Sequence, residues 1–253
     1  ARWAARKSYQ LADQIVTVST QTKENLVQNW GVAAAKINVI PNGVDVALFQ
    51  QPVDTAVLRA ELGLGDAPVL MFVGGFQMWH GLDKLLEALA EIRRTLPDTR
   101  LLLVGDGPAR PFVEQTVRRL NLERFVTITG FVPHARIPQL LAVADVVTVP
   151  YPQLPQEMWF SPLKLYEYMA AGKAIVASAA GQIKNVIRHD KNGLLVTPGD
   201  VAELAQACRH LLQNAAERQR LGCQAQHEAE TEHGWSRQIE RLERVYQAAL
   251  RSR

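Results

Sequence analysis

From Leu64 onward, six short apolar runs alternate with amphipathic stretches, and this alternation restricts the possible folds more than any other feature of the chain. The runs are 68–73 (PVLMFV), 100–105 (RLLLVG), 125–130 (FVTITG), 145–150 (DVVTVP), 174–178 (AIVAS) and 193–197 (GLLVT). They are Leu-rich or β-branched and do not alternate apolar with polar. That pattern belongs to strands covered on both faces. Helical patterns lie between them, clearest over 81–96, where Leu82, Leu85, Leu86, Leu89 and Ile92 share one face. Others span 108–120, 135–143, 162–171 and 182–188. Strands each followed by a helix predict an α/β fold, a doubly wound six-stranded parallel sheet with right-handed crossovers. Ligands of such sheets bind at the C-terminal ends of the strands.

The flanks differ. Residues 12–19 (ADQIVTVS) read as a strand, 20–30 as a helix, 36–40 (KINVI) as a second strand and 41–45 (PNGVD) as a turn. Two strands with one or two helices cannot cover a core of their own, so 1–45 reads as the tail of a preceding domain. Residues 46–63 read as a linker, 64–235 as the main domain and 236–253 as a C-terminal helix, with further helical patterns near 201–213 and 215–230. The chain opens inside a helical pattern and so reads as a piece of a longer protein.

The 253 residues include 47% hydrophobic ones, enough for a sizeable core, and a net charge of only +3. That balance gives no argument for nucleic acid, since no Lys/Arg block is interleaved with aromatics. Arg93–Arg94 and Arg118–Arg119 fall on polar helix faces. Cys208 and Cys223 lack metal-ligand spacing and read as reduced thiols, which points to the cytoplasm. No run of 18 apolar residues and no signal-peptide core is visible.

Within this frame, 157–172 (EMWFSPLKLYEYMAAG) carries the most chemistry. Ser161 suits an N-cap, Pro162 the first helical position and Gly172 a left-handed C-cap, which predicts a helix over 162–171. A helix starting at the C-terminal edge of a parallel sheet offers N–H groups and the positive end of its dipole to an anion. Lys164 in the first turn adds a charge, and Glu167 lies about 9 Å along the axis from the N-cap. Phosphates at the helix start and a sugar diol held by the carboxylate would fit this spacing. An ordinary i,i+3 surface pair is the plain alternative. Glycine loops also follow three of the strands: VGGF (73–76), VGDGP (104–108) and TGFVP (129–133). None is G-x-G-x-x-G, so the dinucleotide fingerprint is absent.

Taken in order, PNGVD, VGGF…HGLDKLLEAL, LLLVGDGP, TGFVP, DVVTVPY, SPLKLYEYMAAGKAIVAS and NGLLV resemble the C-terminal, donor-binding half of GT-B fold glycosyltransferases, in particular retaining family 4. The resemblance covers about 64–235; VIPNGVDVALF (39–49) is similar to the junction between the halves, and ADQIVTVS to the end of the acceptor-side half. It implies a nucleoside-diphosphate-sugar donor in a pocket lined by Gly74, Gly75, His80, Phe131, Val132, Ser161, Pro162, Leu163, Lys164 and Glu167. Glu167 matches the second acid of the family's signature pair and would hold the ribose hydroxyls. The first acid falls at Trp159 and is missing; Glu157 is either a substitute reaching in from the loop or a solvated residue. The family's Arg and Lys after the first strand are replaced by Gly75 and His80. The diphosphate would then rely on Lys164, the helix start and a protonated His80, unless His80 simply packs beside Trp79. The main chain of Phe131 and Val132 would meet the base. Asp106 reads as a turn residue sooner than as a ligand, and Asn185 stands where the family has an acid. The other histidines, His134 among them, show no ligand spacing and read as surface or packing residues.

The implied reaction is transfer of a sugar, with retention, to an unknown saccharide, lipid or other small-molecule acceptor. No cofactor and no metal is expected, because no Asp-x-Asp pair occurs. The expected partners include no nucleic acid; peripheral membrane contact stays open. The catalytic residues are expected mainly in the other half, which leaves this chain catalytically incomplete. A nucleotide-binding scaffold, or another GT-B enzyme such as a nucleotide-sugar epimerase or a phosphorylase, are the alternatives.

Overall fold

The computed structural model describes residues 2–155 and 158–251, so Glu157 lies outside the described residues. Helix α1 (Arg2–Leu11) leads into strand β1 (Ile15–Thr17), helix α2 (Thr20–Trp30) and strand β2 (Ile37–Val39). β1 and β2 pair in parallel as a separate two-stranded sheet. Beneath it only Leu26, Val32 and Ile37 are buried together, flanked by Tyr9, Ile15, Val27 and Trp30.

The stretch 46–63, read from the sequence as a linker, is folded. It forms α3 (Val46–Phe49) and α4 (Thr55–Glu61), each N-capped by an aspartate, Asp45 and Asp54. Phe49 and Leu58 enter the core of the six-stranded unit. Arg59 extends from α4 to the carbonyls of Gly65 and Val143, at 2.8 and 2.9 Å. The apolar residues of this segment are split by Gln50, Gln51, Pro52 and Asp54 into two pieces, each too short to mark a helix by its periodicity.

The main unit then runs β3 (Val69–Val73), α5 (Leu82–Ile92), β4 (Arg100–Val104), α6 (Arg110–Arg119), β5 (Val126–Ile128), α7 (Ile137–Ala142), β6 (Val146–Val149), α8 (Leu163–Ala170), β7 (Ala174–Ser178), α9 (Ile183–Val186), β8 (Leu194–Val196) and α10 (Val201–Gln213). All six strands pair in parallel in the order β5-β4-β3-β6-β7-β8. The core has two halves, one on each face. Val69, Met71 and Val73 of β3 point into one with α7, α8 and α9. Leu70 and Phe72 point into the other with α5, α6 and α10. Burial on both faces explains why these strands read as continuous apolar runs. The chain leaves β3 toward β4 on one side and leaves β6 toward β7 on the other, so the strand order reverses between β3 and β6 and opens a crevice above that pair.

After α11 (Ala215–Glu228), a π-helical turn over Ala229–His233 leads to α12 (Trp235–Arg251). The chain entering the main unit and the chain leaving it lie side by side here. Val44 N–H donates to the His233 carbonyl at 3.0 Å, and Trp235 N–H to the Val44 carbonyl at 3.1 Å. α12 and β2 line one surface pocket through Arg241, Arg244, Asn38 and Val39. Among the described residues no helix is long and apolar enough to cross a membrane.

Candidate functional site

A cavity of about 490 Å³ opens over the β3/β6 crevice. Its lining brings together Gly74, His80, Phe131, Val132, Ser161, Pro162, Leu163, Lys164 and Glu167. These residues come from the loop after β3, the loop after β5 and the start of α8. Of the residues expected there, Gly75 alone is outside the lining. It is exposed and contributes its carbonyl, which accepts a hydrogen bond from His80 Nδ1.

The start of α8 is built differently from the sequence expectation. The helix begins at Leu163 with Pro162, not Ser161, at the N-cap, and no side chain caps it. The Ser161 hydroxyl turns inward and shares a 2.7 Å hydrogen bond with the Tyr166 hydroxyl. Two buried hydroxyls satisfy each other, which removes the need for Ser161 to bond the helix N–H groups. Outside the corner, Asn42 Nδ2 donates to the Ser161 carbonyl at 2.7 Å. The PNG turn thus braces the loop that carries the site. Leu165 N–H is taken by the Pro162 carbonyl at 3.1 Å. Any anion at this helix end must therefore use the first-turn N–H groups of Leu163 and Lys164. At the other end Gly172 is left-handed, with φ +62°, as expected.

Lys164 is half-buried as a residue, because its stem lines the cavity, yet its Nζ is out of contact with solvent. Among the described residues it has no hydrogen-bond partner. The ammonium sits 3.9 Å from the centre of the Phe72 ring and 5.8 Å from that of Tyr151. Such ring faces attract a cation but do not replace lost hydration. Burial pulls the ammonium pKa down to about 7, partly opposed by the Glu167 carboxylate. Gly74, at φ +138°, leaves the space: a Cβ there would stand 2.6 Å from Lys164 Nζ.

His80 is not the extra cation that the sequence allowed. It is buried, stacks on Tyr151 at 5.4 Å and packs edge-on to Trp79. Burial, then the Lys164 charge, lower its pKa to about 4 against the opposing Gly75 carbonyl. Two buried cations side by side are unfavourable, so the imidazole is neutral. Its Nδ1–H donates to Gly75, which fixes the tautomer.

Glu167 lies at the start of the second turn of α8. Its Oε1 accepts a 2.7 Å hydrogen bond from His134 Nε2. Phe131 is 83% exposed at the rim, with Val132 half-buried beside it. Trp159, at the place of the missing acid, is outside the lining. Its carbonyl accepts from Ser19 Oγ at 2.6 Å and Thr22 Oγ1 at 2.8 Å, which ties the loop to α2. Asp106 acts as a turn residue, accepting from Gly107 N–H at 2.8 Å and from Arg110 at 2.7 Å.

Sequence reasoning missed seven lining residues: Asn42, Val73, Trp79, His134, Ile137, Tyr151 and Phe160. Asn42 was legible only as turn chemistry. Tyr151 lies two residues past the end of β6 and could have been flagged by its place at a C-terminal strand end. His134 closes the loop after β5, three residues beyond Phe131, and could have been found the same way.

Comparison with known proteins gives this geometry its context. The family profile described as "Glycosyl transferases group 1" matches residues 67–214, and that described as "Glycosyltransferase Family 4" matches residues 1–48. The D-inositol 3-phosphate glycosyltransferase of Kineococcus radiotolerans is 33% identical over 260 residues, covering 96% of this chain and 58% of that protein. The chain spans little more than half the length of such curated relatives. Among solved structures, Anabaena HepE in complex with UDP-glucose superposes with a TM-score of 0.86 at 27% identity, covering 98% of this chain and 67% of that one. The sucrose-phosphate synthase of Thermosynechococcus elongatus gives 0.84 at 28% identity, covering 100% and 62%. The six-stranded parallel unit therefore has the GT-B glycosyltransferase fold.

Proposed function

Because this chain belongs to the glycosyl transferases of group 1, we propose that the β3/β6 cavity takes the nucleoside-diphosphate-sugar donor of a retaining transferase. The observation that carries the reading is Lys164: a buried ammonium at a helix start, with no hydrogen-bond partner among the described residues, in the space that the absence of a side chain at Gly74 leaves for it. Burying such a charge costs several kcal/mol unless an anion completes it. The diphosphate completes it, and the Leu163 and Lys164 N–H groups add their dipoles. Glu167, one helical turn further, accepts from the ribose hydroxyls. The main chain of Phe131 and Val132 meets the base at the rim. HepE, bound to UDP in one structure and to UDP-glucose in another, supports a nucleotide-sugar ligand on this fold.

In the reaction, charge builds on the diphosphate as the sugar leaves. A cation already in place lowers that barrier without reorganisation. Residues 1–45 are then the tail of an acceptor-side half, and the acceptor is held there. The diphosphate is neutralised by Lys164 and backbone dipoles, so binding should be indifferent to EDTA.

A thermal-shift panel of UDP, GDP, ADP and TDP, each with and without sugar, tests the reading, since a ligand of the native state raises the melting temperature. Calorimetry with the selected diphosphate and its nucleoside then separates the two roles. Lys164→Ala should weaken the diphosphate about ten-fold or more and spare the nucleoside, whereas Glu167→Ala should weaken both. No shift with any of the panel would sink the donor site.

A further inference from the structure

We propose that His134 is a positioning residue that aims the Glu167 carboxylate at the ribose of the bound nucleotide; the inference rests on the donor reading above. An ionised carboxylate only accepts hydrogen bonds, so the proton in the 2.7 Å contact is carried by His134 Nε2. The last torsion of a glutamate side chain is broad. A carboxylate at a cavity wall therefore samples several directions, and ordering it on ligand binding costs conformational entropy. With Oε1 pinned by His134, the plane of the group is set before the ligand arrives. Each carboxylate oxygen has two acceptor sites, so Oε1 can hold His134 and still accept one ribose hydroxyl while Oε2 accepts the other.

The imidazole is itself held. It sits edge-on against Phe49, with ring centres 6.1 Å apart and planes at 70°. Phe49 is buried in the main core. His134 also starts a 3-10 turn whose Arg136 N–H donates to the Pro133 carbonyl at 2.9 Å. Thus Phe49 of α3 backs the imidazole, and the imidazole holds the carboxylate of α8. Lys164 acts on Glu167 only through charge, whereas His134 gives it direction. His134 itself is well exposed, with a side chain 63% accessible, so its replacement should leave the fold intact.

The test compares UDP with its 2′,3′-dideoxy analogue, with GDP and ADP and their dideoxy analogues run in parallel, by titration calorimetry on the whole chain. Wild type should prefer the ribonucleotide. His134→Ala should weaken the ribonucleotide about three- to ten-fold and leave the dideoxy analogue unchanged. His134→Gln, which keeps an N–H donor, should recover most of that loss. Glu167→Ala should erase the preference altogether. The inference is overturned if His134→Ala leaves ribonucleotide affinity unchanged, if it weakens both analogues equally, or if His134→Gln is as poor as alanine. If wild type has no ribose preference, or none of the diphosphates binds, the donor reading fails instead, and the inference falls with it.

Discussion

Gly74 and Lys164 stand so close that a Cβ on the glycine would lie 2.6 Å from the lysine Nζ and 3.0 Å from its Cε. Gly74→Ala therefore has two effects of different origin. The backbone at φ +138° is strained for any side chain, at a cost of about 1–3 kcal/mol. The methyl group also displaces the ammonium from the cavity wall. Stability should fall in both the wild-type and the Lys164→Met backgrounds, whereas the loss of UDP affinity should need Lys164. Paired melting curves and titrations check this. Undiminished UDP binding by Gly74→Ala would remove the close approach from the account.

The Lys164 ammonium ties binding and stability to pH with opposite consequences. Free, it loses its proton near pH 7; unfolded, it keeps it to its ordinary value of 10.5. Between these values the unfolded chain binds more protons, so this residue's destabilising effect fades as pH rises above about 7. Lys164→Met should accordingly raise the melting temperature, most at pH below about 7. A bound diphosphate holds the proton on. UDP binding above about pH 7 should then take up a proton and weaken by up to about ten-fold per pH unit. His80, neutral above about pH 4, contributes nothing in that range. Titrations in two buffers of different ionisation enthalpy measure the proton uptake. A pH-independent affinity from 7 upward would show that Lys164 is not the cation involved.

What the sequence disclosed follows from where the information is local. Strands such as Val69–Val73 and Ala174–Ser178 were legible because burial on both faces leaves an unbroken apolar run. Leu82–Ile92 was legible because its buried face repeats at helical spacing. The convergence of Gly74, Lys164 and Glu167 followed from the rule that parallel sheets bind ligands at one edge. Three things were not legible. The Ser161 hydroxyl was expected to cap its own helix, but burial of both groups pairs it with Tyr166, five residues on. The charge of His80 depends on Tyr151 and Lys164, more than seventy residues away in sequence. The His134–Glu167 contact joins the segment after β5 to helix α8, and no spacing along the chain encodes it.

The Ser161–Tyr166 pair should behave as one unit. Its hydroxyls lie 2.7 Å apart and buried, so Ser161→Ala or Tyr166→Phe each strands the other partner. Each single change should cost about 1–3 kcal/mol, and the double variant no more than the worse single one. A Ser161 acting as helix cap would instead give additive losses. Denaturant unfolding of the four proteins decides between them.

Gly222 offers a stability test away from the site. Alanine inside a helix normally gains about 0.5–1 kcal/mol over glycine. Here a Cβ would lie 2.1 Å from the Gly172 carbonyl oxygen and 3.0 Å from its carbon. That carbonyl is rigid backbone in the left-handed turn that ends α8, and Lys173 N–H ties the turn to Tyr168 at 3.1 Å. The clash cannot be relieved by a rotamer change, so α11 must move off β7 and α8. Overpacking of this kind costs about 1–3 kcal/mol, which outweighs the propensity gain. Gly222→Ala should lower the melting temperature by roughly 2–8 °C. A raised melting temperature would mean that α11 moves off the turn at no cost, and the close packing of α11 on the end of α8 would have to be given up.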